Sequence, residues 1–270
     1  MLMARIFGAL VAACALSWPA MAQVQDLVPH RALYKIRPAP VAAGTLPLNA
    51  SGTIAYELTR TCDGLEWRQH MDLTASGGGQ DFRLEQTWGG SESLDGKRYR
   101  FETRSKHDGA TRPVIRGSAE LKDGGEGEAK FTSPATRTVA LPADTLFPMA
   151  ALAKGIADRK VGRDGFEYKV FIGEKAEPPY RMTGIIGIAP RRARELPPPP
   201  GDSDLVAGRE PFYMHMSFFD SKEQDAMEPS HTWGAAMLDN GVEILGVQTA
   251  GPLRFEYVIE RIEKVAMPKC

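Results

Sequence analysis

The sequence lacks an excess of charge of either sign. Its 270 residues include 33 Lys and Arg against 34 Asp and Glu, a formal net charge of -1. Proteins that bind nucleic acid usually have a clear basic excess, so this balance argues against nucleic acid as a partner. It also argues against a polyacidic tail. Hydrophobic residues make up 43% of the chain, which is too many for a disordered protein and predicts a folded one.

Long apolar runs are scarce as well. The longest, Ile6 to Leu16, is shorter than the roughly 20 residues that a membrane-spanning helix needs, so no transmembrane segment is predicted. The run follows Arg5 and precedes the small-x-small sequence Ala20-Met21-Ala22. This order is typical of a secretory signal peptide, which we predict over residues 1–22. The remaining residues, 23–270, are predicted to form a single exported domain.

A second interpretation of the leader stays open. Val11-Ala12-Ala13-Cys14 matches the sequence at which bacterial lipoproteins are cleaved and acylated on cysteine. A lipoprotein anchored through Cys14 is therefore the alternative to a freely exported protein.

Cysteine is rare. Once Cys14 leaves with the leader, Cys62 and Cys270 remain. An oxidising compartment favours a disulfide between such a pair, and two unpaired thiols are the alternative. In the loop-entropy model a bridge across this length of chain is worth roughly 5 kcal/mol, an upper estimate. The sequence has no Cys-x-x-Cys, so we do not predict a redox-active pair.

Motifs of catalysis and metal binding are also missing from the sequence. There is no Gly-x-Ser-x-Gly nucleophile elbow and no His-Glu-x-x-His zinc motif. His215 lies between Met214 and Met216, with His231 downstream, and these residue types suit copper. Neighbouring strand residues point to opposite faces, however, so core packing is the preferred interpretation. We predict no catalytic residue, no cofactor and no metal, with a secreted hydrolase as the enzymatic alternative.

The sequence is rich in strand signals. Alternation is cleanest from Leu65 to Leu73, where every second residue is large. The predicted strands are Arg31–Ile36, Gly52–Thr59, Leu65–Leu73, Phe82–Trp88, Tyr99–Thr103, Val114–Leu121, Ala129–Thr132, Thr136–Leu141, Phe166–Phe171, Arg181–Ile188, Phe212–Phe219, Thr232–Leu238, Val242–Val247 and Leu253–Ile262. Hairpin-type dipeptides are Asp63-Gly64, Asp95-Gly96, Asp108-Gly109, Asp123-Gly124 and Asn240-Gly241.

One helix is predicted. Pro148 suits its first turn, Met149 to Ala157 continue it, and Asp144 or Thr145 is the expected N-cap. The segment Pro190 to Gly208 is predicted to be an extended loop, because its run of four prolines cannot enter the interior of a sheet. The fold class is therefore mainly β: one antiparallel domain carrying one helix.

The residues around Cys62 resemble a known family. Thr61-Cys62-Asp63-Gly64-Leu65-Glu66 is similar to the Thr-Cys-Asp-Gly-Trp-Glu signature of the EipB-like cell-envelope integrity proteins of Gram-negative bacteria. Leu65 stands where the signature has Trp, although Trp67 lies on the same strand face. Weaker family resemblances occur at Pro29–Tyr34, Leu141–Pro148, Asn240–Val242 and Met267–Cys270.

The resemblance implies a periplasmic protein whose long antiparallel sheet, of about 14 strands, curls into a β-spiral around one helix. This fold is similar to that of the LolA and LolB lipoprotein carriers. The resemblance also implies a disulfide between Cys62 and Cys270, a role in envelope integrity, a link to a periplasmic tetratricopeptide-repeat protein and no catalytic residue. Carrier activity would follow from the fold only by analogy.

Two binding hypotheses remain open. An open apolar curl would hold a lipid or part of a lipoprotein. The strand residues that would supply it are Met71, Met182, Met214, Met216, Phe218 and Trp233. A curl filled by the helix would instead favour a scaffold that recognises partners through its surface, such as the loop Pro190 to Gly208. In that loop Arg191, Arg192 and Arg194 would meet an anionic headgroup or an acidic partner, or would simply be solvated.

Overall fold

Strands dominate the computed structural model of the protein, which describes residues 24–40, 49–77, 80–221, 226–251 and 253–270. The predicted signal peptide, 1–22, lies outside the described residues. Within the described ranges the strands are His30–Pro38 (β1), Asn49–Arg60 (β2), Gly64–Gly77 (β3), Gln80–Ser93 (β4), Arg98–His107 (β5), Ala110–Thr111 (β6), Ile115–Leu121 (β7), Gly127–Ser133 (β8), Arg137–Leu141 (β9), Thr145–Leu146 (β10), Gly165–Val170 (β11), Tyr180–Ile188 (β12), Phe212–Phe219 (β13), His231–Met237 (β14), Glu243–Ala250 (β15) and Leu253–Lys264 (β16). The helices are Pro148–Lys160 (α1) and Arg191–Arg194 (α2), with 3-10 turns at Val24–Asp26 and Ser203–Leu205.

All sixteen strands of the described chain belong to one sheet. It runs from β10 through β11 to β16, continues with β1 to β5, and ends with β7, β8 and β9, while β6 pairs with β5. The pairing is antiparallel except between β10 and β11. The two ends of the sheet, β9 and β10, are separated by residues 142–144 alone. A connection of that length spans at most about 14 Å, so the sheet must curl until its ends approach each other.

The curl gives the sheet an inner and an outer face. In β1 and β13 buried residues alternate with more exposed ones, as expected when one face is packed and the other is near solvent. Helix α1 lies inside the curl, and seven of its 13 residues are buried. Its partners come from opposite parts of the sheet, including Leu58 of β2, Tyr168 of β11 and Met214 of β13.

The fourteen predicted strands are all present. The structure adds β6 and β10, whose two residues each are too few to show an alternation. Each of the five predicted hairpin dipeptides lies at the connection of two strands that pair with each other, with Gly64 already the first residue of β3.

The predicted N-cap of the helix is wrong. Asp144 lies in the turn before β10 and Thr145 lies in β10, while Phe147 occupies the N-cap position without a side-chain cap. The helix needs no local cap because Glu92 of β4 reaches its first backbone N–H groups. Pro148 is in the first turn, as predicted, and the helix continues to Lys160.

The segment Pro190 to Gly208 is more ordered than predicted. It contains α2 and the second 3-10 turn, while its four prolines stay out of the strands as expected. Ala193 and Leu205 are 2% and 6% exposed, and Gly201 forms a backbone bridge with Ile262 of β16. The segment is therefore packed on the outer face of the sheet.

Candidate functional site

The buried carboxyl of Glu92 positions helix α1 inside the curl. Its two oxygens accept hydrogen bonds from the backbone N–H groups of Met149 at 2.7 Å and Ala150 at 3.1 Å. These are donors that the first turn of a helix leaves unsatisfied. Burial raises the pKa of Glu92 to about 7, although the two N–H groups oppose this shift. The carboxyl is therefore used to hold the helix.

A second interior carboxyl is equally occupied. Glu243 Oε1 accepts hydrogen bonds from the Tyr257 hydroxyl at 2.9 Å and from Trp233 Nε1 at 3.1 Å. Tyr34 donates to the backbone carbonyl of the same residue at 3.0 Å. Burial raises the pKa of Glu243 to about 8, against the two side-chain donors. The carboxyl thus joins β14 and β16 through their ring side chains, and the backbone carbonyl of Glu243 adds Tyr34 of β1.

Four of the six strand residues predicted to line an open groove are instead packed around the helix, while Met71 is buried in a different cluster and Trp233 is partly buried against the helix cluster. The exposed fractions of Met182, Met214, Met216 and Phe218 are 5% or less, and all four belong to the cluster that contains α1. A Cβ on Gly155 of the helix would lie 3.0 Å from Met214 Sδ, which shows how closely helix and strand approach. In the part of the sheet that contacts α1, the curl is filled.

The signature residues form the turn between β2 and β3. The backbone N–H of Gly64 donates to Thr61 Oγ1 at 3.0 Å, and Leu94 N–H donates to the carbonyl of Asp63 at 3.1 Å. A Cβ on Gly64 would collide with the backbone carbonyl of Glu92, so this position requires glycine. The turn thus sets how closely β3 approaches β4, the strand that carries Glu92. Glu66 lies just beyond the turn and is exposed.

In the structure Cys62 is joined to Cys270 by a disulfide, with 5.6 Å between the two Cα atoms. Both residues are exposed. The bond ties the signature turn to the residue 208 positions further along the chain.

The three loop arginines all have partners. Arg192 forms an ion pair with the buried Glu256 at 2.7 Å, and Arg191 pairs with Glu195 at 2.6 Å. Arg194 Nε donates to the carbonyl of Ala189 at 3.1 Å. The Arg192 pair attaches the segment to β16, while the contacts of Arg191 and Arg194 are local to the segment.

The histidines and methionines that suggested copper do not converge. Met214 and Met216 face the helix, while His215 lies on the other side of β13 and His231 stacks on Phe218 at 4.3 Å. Across the residues that the structure describes, no group of three or more His, Cys, Asp or Glu is placed to hold a metal ion.

A hollow of about 570 Å³ lies on the sheet where β2, β3, β4, β5 and β7 run side by side. We call it the Gly89 hollow. Its lining residues are Glu57, Thr59, Glu66, Trp67, Arg68, Gly89, Gly90, Ser91, Arg100, Phe101, Glu102, Arg116 and Gly117. Strand alternation directs the charged side chains among them to the outer face, because Trp67, Tyr99 and Phe101 belong to the inner clusters. The hollow therefore has a polar, charged wall.

Cross-strand pairing arranges these charges in two rows. One row runs Glu57, Arg68, Gly89, Glu102 and Arg116 across five strands. The next row, two residues along, contains Thr59, Glu66, Ser91, Arg100 and Ser118. The centre of the hollow is thus formed by two small residues on β4, Gly89 and Ser91.

Two of the carboxylates in the hollow are already neutralised. A hydrogen bond from Arg31 at 3.1 Å holds the pKa of Glu57 below its ordinary value. Arg104 at 2.5 Å and Arg116 at 2.6 Å do the same for Glu102. Within the described chain, Arg68 and Arg100 form no hydrogen bond or ion pair, although Arg68 is close enough to Glu57 to help lower the pKa of that carboxyl. The hollow therefore presents two guanidinium groups that have no ion-pair partner, one on each side of β4.

The roles of Glu92 and Glu243 and the Gly89 hollow were not predicted from the sequence. Glu92 and Glu243 look like ordinary strand-end carboxylates, and nothing local indicates that each is covered by a distant element. The adjacent glycines Gly89-Gly90 inside a long strand were the one available signal, since a glycine there weakens the strand and often marks a close approach.

The antiparallel sheet is curled, with a helix inside and a polar hollow outside. These features define a β-spiral protein whose interior is occupied by α1. The chain belongs to the EipB-like family, whose model matches residues 21–249. The family resemblance of the Thr61 segment and the predicted fold class are therefore confirmed. The fold is similar to the crystal structure of a β-barrel-like protein of the domain of unknown function DUF1849 from Brucella abortus, with a TM-score of 0.73 and 22% sequence identity over 89% of this chain and 99% of that chain.

No curated protein matches the sequence. Of the helices that the structure describes, none is long and apolar enough to cross a membrane.

Proposed function

We propose that this protein is a non-enzymatic periplasmic protein that supports envelope integrity as an interaction scaffold, recognising partners through its outer surface. The observation that carries the proposal is the position of helix α1, which fills the curl of the sheet. The predicted signal peptide and the disulfide support a periplasmic location, because disulfides persist in oxidising compartments.

The filled curl weighs against a lipid carrier of the open-groove type. An acyl chain in the part of the curl that holds α1 would have to displace a helix that Glu92 holds by two hydrogen bonds. It would also have to separate the helix from Met214 and Met216, which are 1% and 4% exposed. Closely packed interiors do not open without a large loss of contacts.

The interior carboxyls also support a non-enzymatic role. Perturbed pKa values often mark catalytic groups, and Glu92 and Glu243 have them. Both groups, however, are engaged by buried donors that stabilise the fold. Their shifts are explained by structural burial.

The proposal is tested with protein purified from an oxidising compartment. Native mass spectrometry is expected to show the bare mass of the processed chain, with no lipid retained and none taken up from added phospholipid. A pull-down from envelope extract is expected to retain a defined protein, and a periplasmic tetratricopeptide-repeat protein is the family-based candidate. Stoichiometric lipid in the native spectrum, or a pull-down that retains no specific protein, would overturn the scaffold function.

A further inference from the structure

The Gly89 hollow contains a glycine that the fold does not require. A Cβ on Gly90 would lie 2.6 Å from Tyr99 Cε2, and one on Gly117 would lie 2.5 Å from Phe101 Cζ, so inner-face packing demands both glycines. A Cβ on Gly89 would meet only the carbonyl of Trp67, at 3.4 Å. Gly89 is also absent from the residues of positive φ. A glycine inside a strand costs stability and often marks a bend or a place that another molecule approaches closely, and the open hollow above Gly89 favours the second.

The charges around Gly89 define what that molecule is. Arg68 lies directly opposite Gly89 on β3, and Arg100 lies opposite Ser91 on β5. From ordinary strand spacings their Cα atoms are about 12 Å apart across β4, so an anion above Gly89 is within reach of both side chains. Arginine matches a carboxylate through paired N–H donors.

The carboxylates of the wall limit the charge of the ligand. The wall itself carries three arginines and three glutamates, and Arg31 and Arg104 from outside the wall pair with two of these glutamates. Glu66, which has no ion pair in the described residues, stands beside the same centre. The glutamates of the wall would repel a dense polyanion. A single carboxylate placed between the two arginines avoids most of this repulsion. The outward side chains are polar or charged, so the wall offers no place for an acyl chain.

Building on the surface-binding function above, we propose that the Gly89 hollow receives an acidic segment of a partner protein. One carboxylate of that segment lies over Gly89 and Ser91 and is bound by Arg68 and Arg100. The volume of about 570 Å³ suits a few residues of an extended segment rather than a folded domain.

Two variants remove the site without touching the inner face. Gly89→Phe fills the hollow, and the double variant Arg68→Gln with Arg100→Gln removes the free charges. The control for Gly89→Phe is Gly187→Phe on the exposed part of β12, where a Cβ has no neighbour within 4 Å. The control for the double variant is Arg112→Gln with Arg137→Gln, which changes two exposed arginines elsewhere. In quantitative pull-downs from envelope extract with the full exported chain, each hollow variant should bind its partner about tenfold more weakly or worse, and the controls should match the wild type.

A photo-crosslinker then identifies the occupant. With p-benzoylphenylalanine replacing the exposed Ser118 at the edge of the hollow in cells, the crosslinked peptide, located by mass spectrometry, should contain Asp or Glu near the crosslink. A crosslink to lipid, to glycan or to a segment without Asp and Glu would overturn the assignment.

The failures of the two proposals are distinguishable. If the wild type retains a protein and the hollow variants retain it equally, the scaffold function stands and the hollow is not its site. If the wild type retains no protein, the scaffold function fails and the assignment of the hollow fails with it.

Discussion

The inner and outer faces of β3, β4 and β5 are formed by alternate residues of the same strands, yet they are under different constraints. On the inner face Gly90 gives room to Tyr99 and Trp67, and Glu92 holds α1. On the outer face Gly89 leaves an open floor between two free arginines. Side chains alternate between the two faces of a strand. Gly90, which packing requires, therefore lies next to Gly89, which packing does not explain. The comparison shows that a paired motif such as Gly89-Gly90 must be interpreted one face at a time.

Removing the disulfide is expected to produce the largest loss of stability. The loss separates the contribution of the disulfide from that of the packed inner face. Changing Cys62→Ser together with Cys270→Ser should lower the free energy of unfolding by roughly 4 kcal/mol, because a 208-residue loop is no longer closed in the unfolded chain. Denaturant unfolding under non-reducing conditions measures the loss. An unchanged midpoint would mean that the inner face alone determines stability.

Glu92→Ala tests the inner face directly and should cost about 3 kcal/mol. The change leaves the backbone N–H groups of Met149 and Ala150 buried without an acceptor. The matched control is Glu66→Ala on the outer face, whose exposed side chain should change stability by less than about 0.5 kcal/mol. Urea titrations of both variants measure the two losses of stability. Similar losses at Glu92 and Glu66 would refute the difference between the faces.

The pH dependence of stability should also distinguish the faces. The folded pKa of Glu92, about 7, lies above its ordinary 4.5, so the folded state holds the extra proton between these values. The stabilisation that Glu92 contributes is therefore complete below about pH 4.5. As the pH rises through 7, about 3 kcal/mol of this stabilisation is lost. Glu243 acts in the same direction up to about pH 8.

Glu92→Gln isolates this contribution. Buried His30, whose pKa is lowered by burial, works in the opposite direction below pH 6.5 and is present in both proteins. The unfolding free energy of wild type minus variant should therefore fall between pH 5 and pH 8. A difference that stays constant over this range would show that Glu92 does not titrate as the buried geometry requires.

Gly90→Ala should destabilise the protein by about 2 kcal/mol, because the added methyl group meets the Tyr99 ring and the backbone carbonyl of Arg100. Thermal unfolding measures the change. A neutral result would mean that the inner face is looser than its contacts indicate.

Gly89→Ala should have the smallest effect and the opposite sign. Its methyl group meets only the Trp67 carbonyl, at 3.4 Å, and the loss of backbone freedom in the unfolded chain should add about 0.5 kcal/mol of stability. The same thermal melts check this prediction. A loss as large as that of Gly90→Ala would abolish the distinction between the two faces.

Much of the fold could be predicted because the signals are local. Strand alternation from Leu65 to Leu73 and the five hairpin dipeptides depend on residues within a few positions of one another. The helix was found from Pro148 and the residues after it. Its N-cap was missed because the acceptor, Glu92, is more than 50 positions away in sequence.

The sequence by itself determined which segments are strands, where they turn, and, through the residues around Cys62, the family. Only the tertiary structure decided that α1 fills the curl, that the Pro190 segment is packed on the sheet, and that Arg68 and Arg100 flank Gly89 and Ser91 on the two neighbouring strands. These features depend on contacts between residues far apart in the chain, and burial, charge pairing and free volume exist only once the sheet has curled.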